Sequence, residues 1–293
     1  MIYNIFRNLL LLSIIAVIIV SCEDPAPTDY IPDIVVEGLL IVDEPIRNIT
    51  VIRTQPLADS FSYYNSLISN AIVKIKSEGQ EFLLDYNPPG NDNKPGYYFS
   101  DTSYKVKSNQ LYEMEVIVDG KIMTGTTFTP ARTDWIRSPK KYIQYPIDSI
   151  NLPPTDTIEW KRADKANFYL IGISCLDTNG YGEYLNPQTN EKNRRIERPF
   201  RNDRSYWELT SFVPIPAGTD TSTSTPIVWS VFKFFGKHQV SIFVPDFNFL
   251  RWFAQAQARG QVEPILQSIN NGFGYFGSAS VIRDTSVLLK NQP

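Results

Sequence analysis

The chain is poor in the residues from which most reactive centres are built. Its 293 residues include two cysteines, three methionines and one histidine. A zinc or similar centre needs three or four imidazole, thiolate or carboxylate ligands converging on one point, and Cys175 and His238 make a thin supply. A Ser-His-Asp triad would have to run through His238. In KHQVSIFVPD that residue reads as a strand-edge histidine with ordinary hydrogen bonds. Cys175, within FYLIGISCL, reads as a small core residue. No G-x-x-x-x-G-K loop is present to cradle a phosphate. Positive charge is also short: 28 Lys and Arg stand against 31 Asp and Glu, for a net charge of −3. That balance argues against nucleic acid as a partner, because such binding draws on an excess of cations facing phosphate. Acids are plentiful, and a carboxylate-based hydrolase needs only two of them roughly 5 to 9.5 Å apart across a cleft. No spacing marks such a pair. No catalytic residue, metal or cofactor is therefore assigned.

Long hydrophobic runs are missing too, with one partial exception. Leu9 to Val20 is apolar for about a dozen residues, short of the roughly 20 that cross a bilayer but the length of a signal-peptide core. It follows Arg7 and ends in Ile19-Val20-Ser21-Cys22, which resembles a lipobox: two branched residues, a small one, and the cysteine that is acylated before cleavage. Residues 1–21 are read as a lipoprotein signal peptide and Cys22 as the lipidation site, an outer-membrane anchor without a span. Glu23 and Asp24 resemble the acidic export signals of Bacteroidota lipoproteins, which send the protein to the cell surface. Pro25, Pro27 and Pro32 make residues 22–32 an extended tether.

From residue 33 the pattern is mainly β. DIVVEGLLIV and RNITVIR are β-branched runs, and residues 57–68 form a polar, Tyr-rich loop. Val73 and Ile75 alternate with Ile72, Lys74 and Lys76, turn at Glu78-Gly79 and return through Phe82 to Tyr86. GYYFSD supplies a short strand, and Asp119-Gly120 turns a second hairpin. About seven strands in roughly 100 residues predict a β-sandwich over 33–131. Its layout resembles immunoglobulin- and transthyretin-like sandwiches: Asn70-Ala71-Ile72-Val73, then Leu111-Tyr112 with Val116, then Gly120 to Thr124. Four prolines mark 132–155 as a linker. A second sandwich is predicted over 156–293, where the Trp160 strand followed by Tyr169-Leu170-Ile171 resembles the B and C strands of a fibronectin type III domain. YWELTSFVPIP, IVWSVFKFF and HQVSIFVPD read as further strands, with a polar loop at AGTDTSTSTP. Five arginines between 194 and 204 read as a solvated loop. One helix is expected at about 247–259, capped by Asp246 and closed by Gly260. After it, Gly272, Gly274 and Gly277 alternate with Phe273, Tyr275 and Phe276 and allow bends or close backbone approach before a final strand.

Taken in order, Cys22, Val36 to Leu40, Ile68 to Val73, Trp160 and the closing Asn271 to Ser278 resemble a Bacteroidota outer-membrane lipoprotein family, domain-of-unknown-function family 4249. The resemblance implies a protein often encoded beside a TonB-dependent receptor barrel, and it transfers no catalytic residues. The expected function is a non-catalytic accessory or substrate-binding subunit of a TonB-dependent nutrient uptake system, with a glycan or peptide as ligand. A structural or adhesive envelope lipoprotein is the alternative, with a surface hydrolase behind both. Since loops on sandwich scaffolds carry function, Tyr63, Tyr64, Tyr97, Tyr98 and Tyr181 are the candidate ligand-binding residues.

Overall fold

The computed structural model describes residues 30–56, 59–60, 62–89, 96–100, 103–146, 152, 155–166, 168–176, 181–184, 186–188, 207–214, 222–232, 234–257 and 267–290. Cys22, the signal peptide, the arginine cluster and Gly260 lie outside them. The first strands are β1 (Ile34–Ile41), β2 (Thr50–Arg53), β3 (Ile72–Ser77), β4 (Gln80–Asn87), β5 (Tyr97–Phe99), β6 (Leu111–Val118) and β7 (Lys121–Phe128), with a one-turn helix α1 (Tyr63–Ser66) after β2. There follow β8 (Trp135–Arg137), β9 (Tyr142–Gln144), β10 (Asp156–Lys161), β11 (Phe168–Cys175), β12 (Trp207–Pro214), β13 (Ser222–Ile227), β14 (Gly236–Pro245), helix α2 (Phe247–Gln257), β15 (Ile269–Asn270) and the 17-residue β16 (Phe273–Leu289).

Local chemistry accounts for much of this. Both predicted hairpins form, and each turns on two residues of positive φ: Glu78 (48°) with Gly79 (76°), and Asp119 (49°) with Gly120 (82°). That backbone twist matches the right-handed twist of the strands it joins. In β3 the odd residues Val73 and Ile75 are fully buried while Ile72 faces out. The six-stranded sheet β15-β7-β6-β3-β4-β5 thus has one dry face. Its outer face carries Lys74, which pairs with Glu81 and Glu115, between apolar ends at Ile122 and Phe128.

That dry face packs on β1, β2 and the start of β16. Val36, Leu40, Val51 and Phe276 from the second layer meet Val73, Tyr112, Val116 and Met123 from the first. The second sandwich sets the three-stranded sheet β13-β10-β8 against β11, β14 and the far end of β16, around Trp160, Tyr169, Phe232, Val240 and Leu288. Strands β10 and β11 lie in opposite sheets, and Trp160 meets Tyr169 edge-on at 5.3 Å. The seven-stranded sheet, β12-β11-β14-β16-β1-β2 with β9 also on β16, runs through both sandwiches. Alternation along β16 explains how: Phe276 fills the first core, Ile282 and Leu288 reach the second from the same face, and Tyr275, Ala279 and Val281 point the other way, under α2.

Packing therefore crosses the expected boundary at 132–155. Ile269 and Phe276 belong to the first core, and β1 pairs in parallel with Phe273 to Ala279. The proposed linker itself contains β8 and β9, with Pro139 between them and Pro146 just beyond, where a missing amide costs no ladder bond. Two further differences follow from edge positions. The polar stretch read as a loop holds β13, an edge strand whose Ser, Thr and Pro226 face β10 on one side only. IVWSVFKFF is not a strand: Trp229–Val231 is a 3-10 turn, and Phe232 and Phe235 plug the core from irregular backbone.

Helix α2 begins where the sequence says. The Asp246 carboxylate accepts the Phe249 amide at 2.8 Å through Oδ1, and the Thr127 hydroxyl at 2.6 Å through Oδ2. Asn248 donates to Thr126 O (2.7 Å) and Phe276 O (2.9 Å). The cap is thus a clasp joining α2, β7 and β16. The glycines of the closing motif leave room for it. A Cβ on Gly277 would stand 2.8 Å from the Phe249 amide, and one on Gly274, whose φ is +101°, would stand 2.0 Å from Val36 O.

Candidate functional site

Four of the five candidate tyrosines are brought to one edge of the first sandwich. Tyr63 and Tyr64 sit on α1, and Tyr97 and Tyr98 on β5; both elements flank β2 through the bridges Ile52 to Leu67 and Ile49 to Tyr98. Their environments differ. Tyr98 is 1% exposed, and its hydroxyl donates to Ile68 O (2.8 Å) and accepts from the Ala71 amide (2.9 Å). It is a core residue that ties the α1 segment to the sheet, and no ligand can reach it. Tyr97, its neighbour in sequence, points the other way, half-buried against Phe99. Tyr64 is exposed and Tyr63 is half-buried. Tyr181 opens a 3-10 turn, Tyr181–Tyr184, that packs beside β14 in the second sandwich, away from the other four.

Next to Tyr63 lies a residue that these considerations missed. Glu37 sits mid-strand in β1, with Thr50 of β2 and Tyr275 of β16 as its register partners on the face turned to α2. Burial pushes its carboxyl above the usual range. The Tyr63 and Tyr275 hydroxyls are pushed up as well, by burial first and by the Glu37 charge in addition. Tyr275 is pinned by Trp252, stacked at 4.9 Å and 21°, and by Phe249 at 6.2 Å. The signal was legible: Glu37 is the one charge inside IVVEGLLIV.

A concavity opens at the edge of the second sandwich, between β9 in one layer and the ends of β10 and β13 in the other. It has a volume of ≈ 420 Å³ and is lined by Trp229, Tyr142, Ile143 and Leu152, with Lys140 and Asp156 at its polar side. Sites for small molecules fall in the range of roughly 300 to 1,000 Å³. Asp156 is nine-tenths buried; it accepts the Lys140 amide at 3.0 Å and faces the Lys140 ammonium at 3.5 Å. An edge-to-face ladder, Trp229 on Tyr145 (5.0 Å) and Tyr145 on Phe235 (5.1 Å), fixes the aromatic wall to the core. Two of these parts, β9 and the Trp229 turn, come from segments whose sequence suggested a linker and a strand.

His238 lies in an interior strand, not at an edge, paired with Cys175 on one side and Ser286 on the other. It is 1% exposed; Nδ1–H donates to Gly236 O at 2.9 Å, since a carbonyl can only accept, and the ring meets Phe232 edge-on. Cys175 is half-buried at the end of β11. Among the described residues no three His, Cys, Asp or Glu side chains gather as metal ligands, and no helix is long and apolar enough to cross a membrane.

Fold and surfaces together define a double β-sandwich protein in which one long strand serves both cores. The chain belongs to the family described as Domain of unknown function (DUF4249), whose profile matches residues 23–285. No curated protein matches. Among solved structures, "Escherichia coli alpha-2-macroglobulin activated by porcine elastase" is 10% identical, with 91% of this chain covered and a TM-score of 0.26; the chain spans 24% of that protein's length. A chimeric titin Z1Z2-Z1Z2 tandem is also 10% identical, with 89% of this chain and 100% of the other covered and a TM-score of 0.20. TM-scores this low carry no argument.

Proposed function

We propose that the protein is a Bacteroidota outer-membrane lipoprotein, held by acylated Cys22 and facing the cell surface. In this reading it is a non-catalytic accessory or substrate-binding subunit of a TonB-dependent nutrient uptake system. The single observation that carries binding is the Trp229 cleft, with an indole and a phenol over apolar side chains and one buried acid at the rim. Aromatic walls of this kind give a glycan or peptide ligand contact area at low entropic cost, and a few fixed polar groups orient it. The anchor is supported by the apolar run that stops at Cys22 and by the proline-rich segment behind it. Each acyl CH₂ buried in lipid contributes about 0.8 kcal/mol, so two or three chains on one cysteine hold the domain firmly.

The test is affinity purification of the full acylated chain from detergent-solubilised outer membrane, with mass spectrometry of Cys22. Recovery of a β-barrel receptor with the lipidated chain is the expected result. Unmodified Cys22 in a secreted product, or a lipidated chain that never brings a barrel with it, rejects the proposal.

A further inference from the structure

We propose that Glu37, set between Thr50 and Tyr275, is the receptor for an organic cation: the head group of a basic side chain or of a small amine. The site lies in the first sandwich, apart from the Trp229 cleft, and stands or falls independently of it.

The argument starts from a carboxylate without a partner. Glu44, Glu78, Glu81, Glu115 and Glu159 each hold an arginine or lysine. Glu37 holds none among the described residues, and burial alone accounts for the displacement of its titration. Glu37 is half-buried, and an ionised carboxylate partly withdrawn from water with no counter-charge is costly, so proteins commonly neutralise or pair it. Threonine or valine would suit the middle of β1 better on every structural ground. Where a cost of this kind is kept, a ligand that returns it is the economical reading.

The surroundings say which ligand. Register places Thr50, Glu37 and Tyr275 in one row on one face, so the carboxylate has a hydroxyl neighbour on each side. The Tyr63 hydroxyl lies within electrostatic reach of the Glu37 charge. Tyr275 is immobilised by Trp252 and Phe249. The walls are therefore aromatic and rich in oxygen acceptors, and no cation lies among the described residues there. An anion would be repelled there. A neutral polyol would donate hydrogen bonds to Glu37 but bring no counter-charge. An ammonium or guanidinium group brings one, donates to the carboxylate and the phenol oxygens, and meets ring faces that favour cations. The other acid nearby, Asp246 beyond Tyr275, has its lone pairs taken by the α2 cap and Thr127.

Titration of the full chain in detergent with n-butylammonium chloride, and separately with a capped Gly-Lys-Gly peptide, tests the site, with sodium chloride as the ionic-strength control. Trp252 fluorescence reads occupancy, because its ring stacks on Tyr275. Saturable binding of at least one probe is expected, weakened at least ten-fold in Glu37→Gln and less in Tyr63→Phe. Affinity should rise with pH as Glu37 ionises, and Glu37→Gln should abolish that rise; any dependence due to Asp246 would survive in the variant. Glu37→Gln keeps the shape and removes an unpaired charge, so its thermal stability at neutral pH should equal or exceed the parent's, and lost binding cannot be lost folding. Binding of the peptide alone identifies a polypeptide source, and of butylammonium alone a small amine. No saturable response above the salt control, or equal affinity in Glu37→Gln, overturns the proposal.

Discussion

The two sandwiches reach the same architecture with different materials. The first core is mostly aliphatic, with Val36, Ile49, Val73, Ile75 and Val116, and two of its strand pairs, β3–β4 and β6–β7, are joined by two-residue turns. The second is also largely aliphatic, with Ile158, Ile171, Val240 and Ile242, but adds the fully buried Trp160 indole beside Tyr169, Phe232 and Phe235. The first is assembled from contacts close in sequence, apart from what β16 brings to it. The second depends on strands farther apart in sequence, and its larger rings, Trp160 above all, bury more area per residue. The contrast teaches that β16 is the coupling element. It places one face against both cores, so neither sandwich is complete without the last segment of the chain.

The sharpest way to break that comparison is Trp160→Ala. Loss of a fully buried indole should cost roughly 3–5 kcal/mol. All five tryptophans lie at or beyond residue 135, so fluorescence follows the second sandwich and the helix while far-UV circular dichroism follows both. Coincident denaturation curves in the two signals are expected. A later transition seen by dichroism alone would show that the first sandwich stands without its neighbour. Gly274→Ala should come next, at about 3 kcal/mol, because a positive φ and a collision with Val36 O act together. Gly120→Ala is the control: its φ is +82° but nothing lies within 4 Å of the new Cβ, so about 1–2 kcal/mol is expected. Similar losses at both glycines, measured by urea denaturation, would mean that the β1–β16 junction yields easily.

Asp246→Ala should cost about 1–2 kcal/mol as a lost helix cap, with hydrogen exchange quickening in α2 before it does in the sheets. The smallest effect belongs to Arg132, which grips Asp43 through Nε (2.7 Å) and Nη2 (2.6 Å) on the surface. Arg132→Ala should cost about 0.2–1 kcal/mol. The Arg132 guanidinium beside Asp43 holds its carboxyl below the usual range. The pair's contribution is therefore present above the ordinary carboxylate pKa and disappears as pH falls through the lowered one. Parent and variant should differ in Tm at neutral pH and converge in acid.

Elements with a local cause were legible before any coordinates. Both hairpins follow from an acid-Gly turn between alternating runs, and α2 follows from Asp246 and apolar residues three and four apart. Period-two alternation already separates Tyr97 from Tyr98, so a stricter reading of GYYFSD would have kept Tyr98 out of the binding set. Strand β13 was hidden because Ser222 to Pro226 read as a polar loop, and β8 and β9 because each is only three residues long, set between Pro130, Pro139 and Pro146. Partners recruit them to edges, and a partner is not written in the recruited segment. The cleft was invisible for the same reason, since Trp229, Tyr142 and Asp156 meet only after their two sheets pack. Glu37 was visible as a charge in an apolar run, but that Thr50 and Tyr275 would flank it was not.

Sequence alone determined that the chain is mainly β, where its tight turns and one helix start, and which side chains alternate toward a dry face. These depend on φ preferences and side-chain periodicity, which act over a few residues. Tertiary structure decided that β1 pairs in parallel with a strand more than 200 residues away, that one strand completes two cores, and that Glu37 is flanked by Thr50 and Tyr275. Such pairings are chosen by the burial of whole faces against one another, a quantity that no single segment carries.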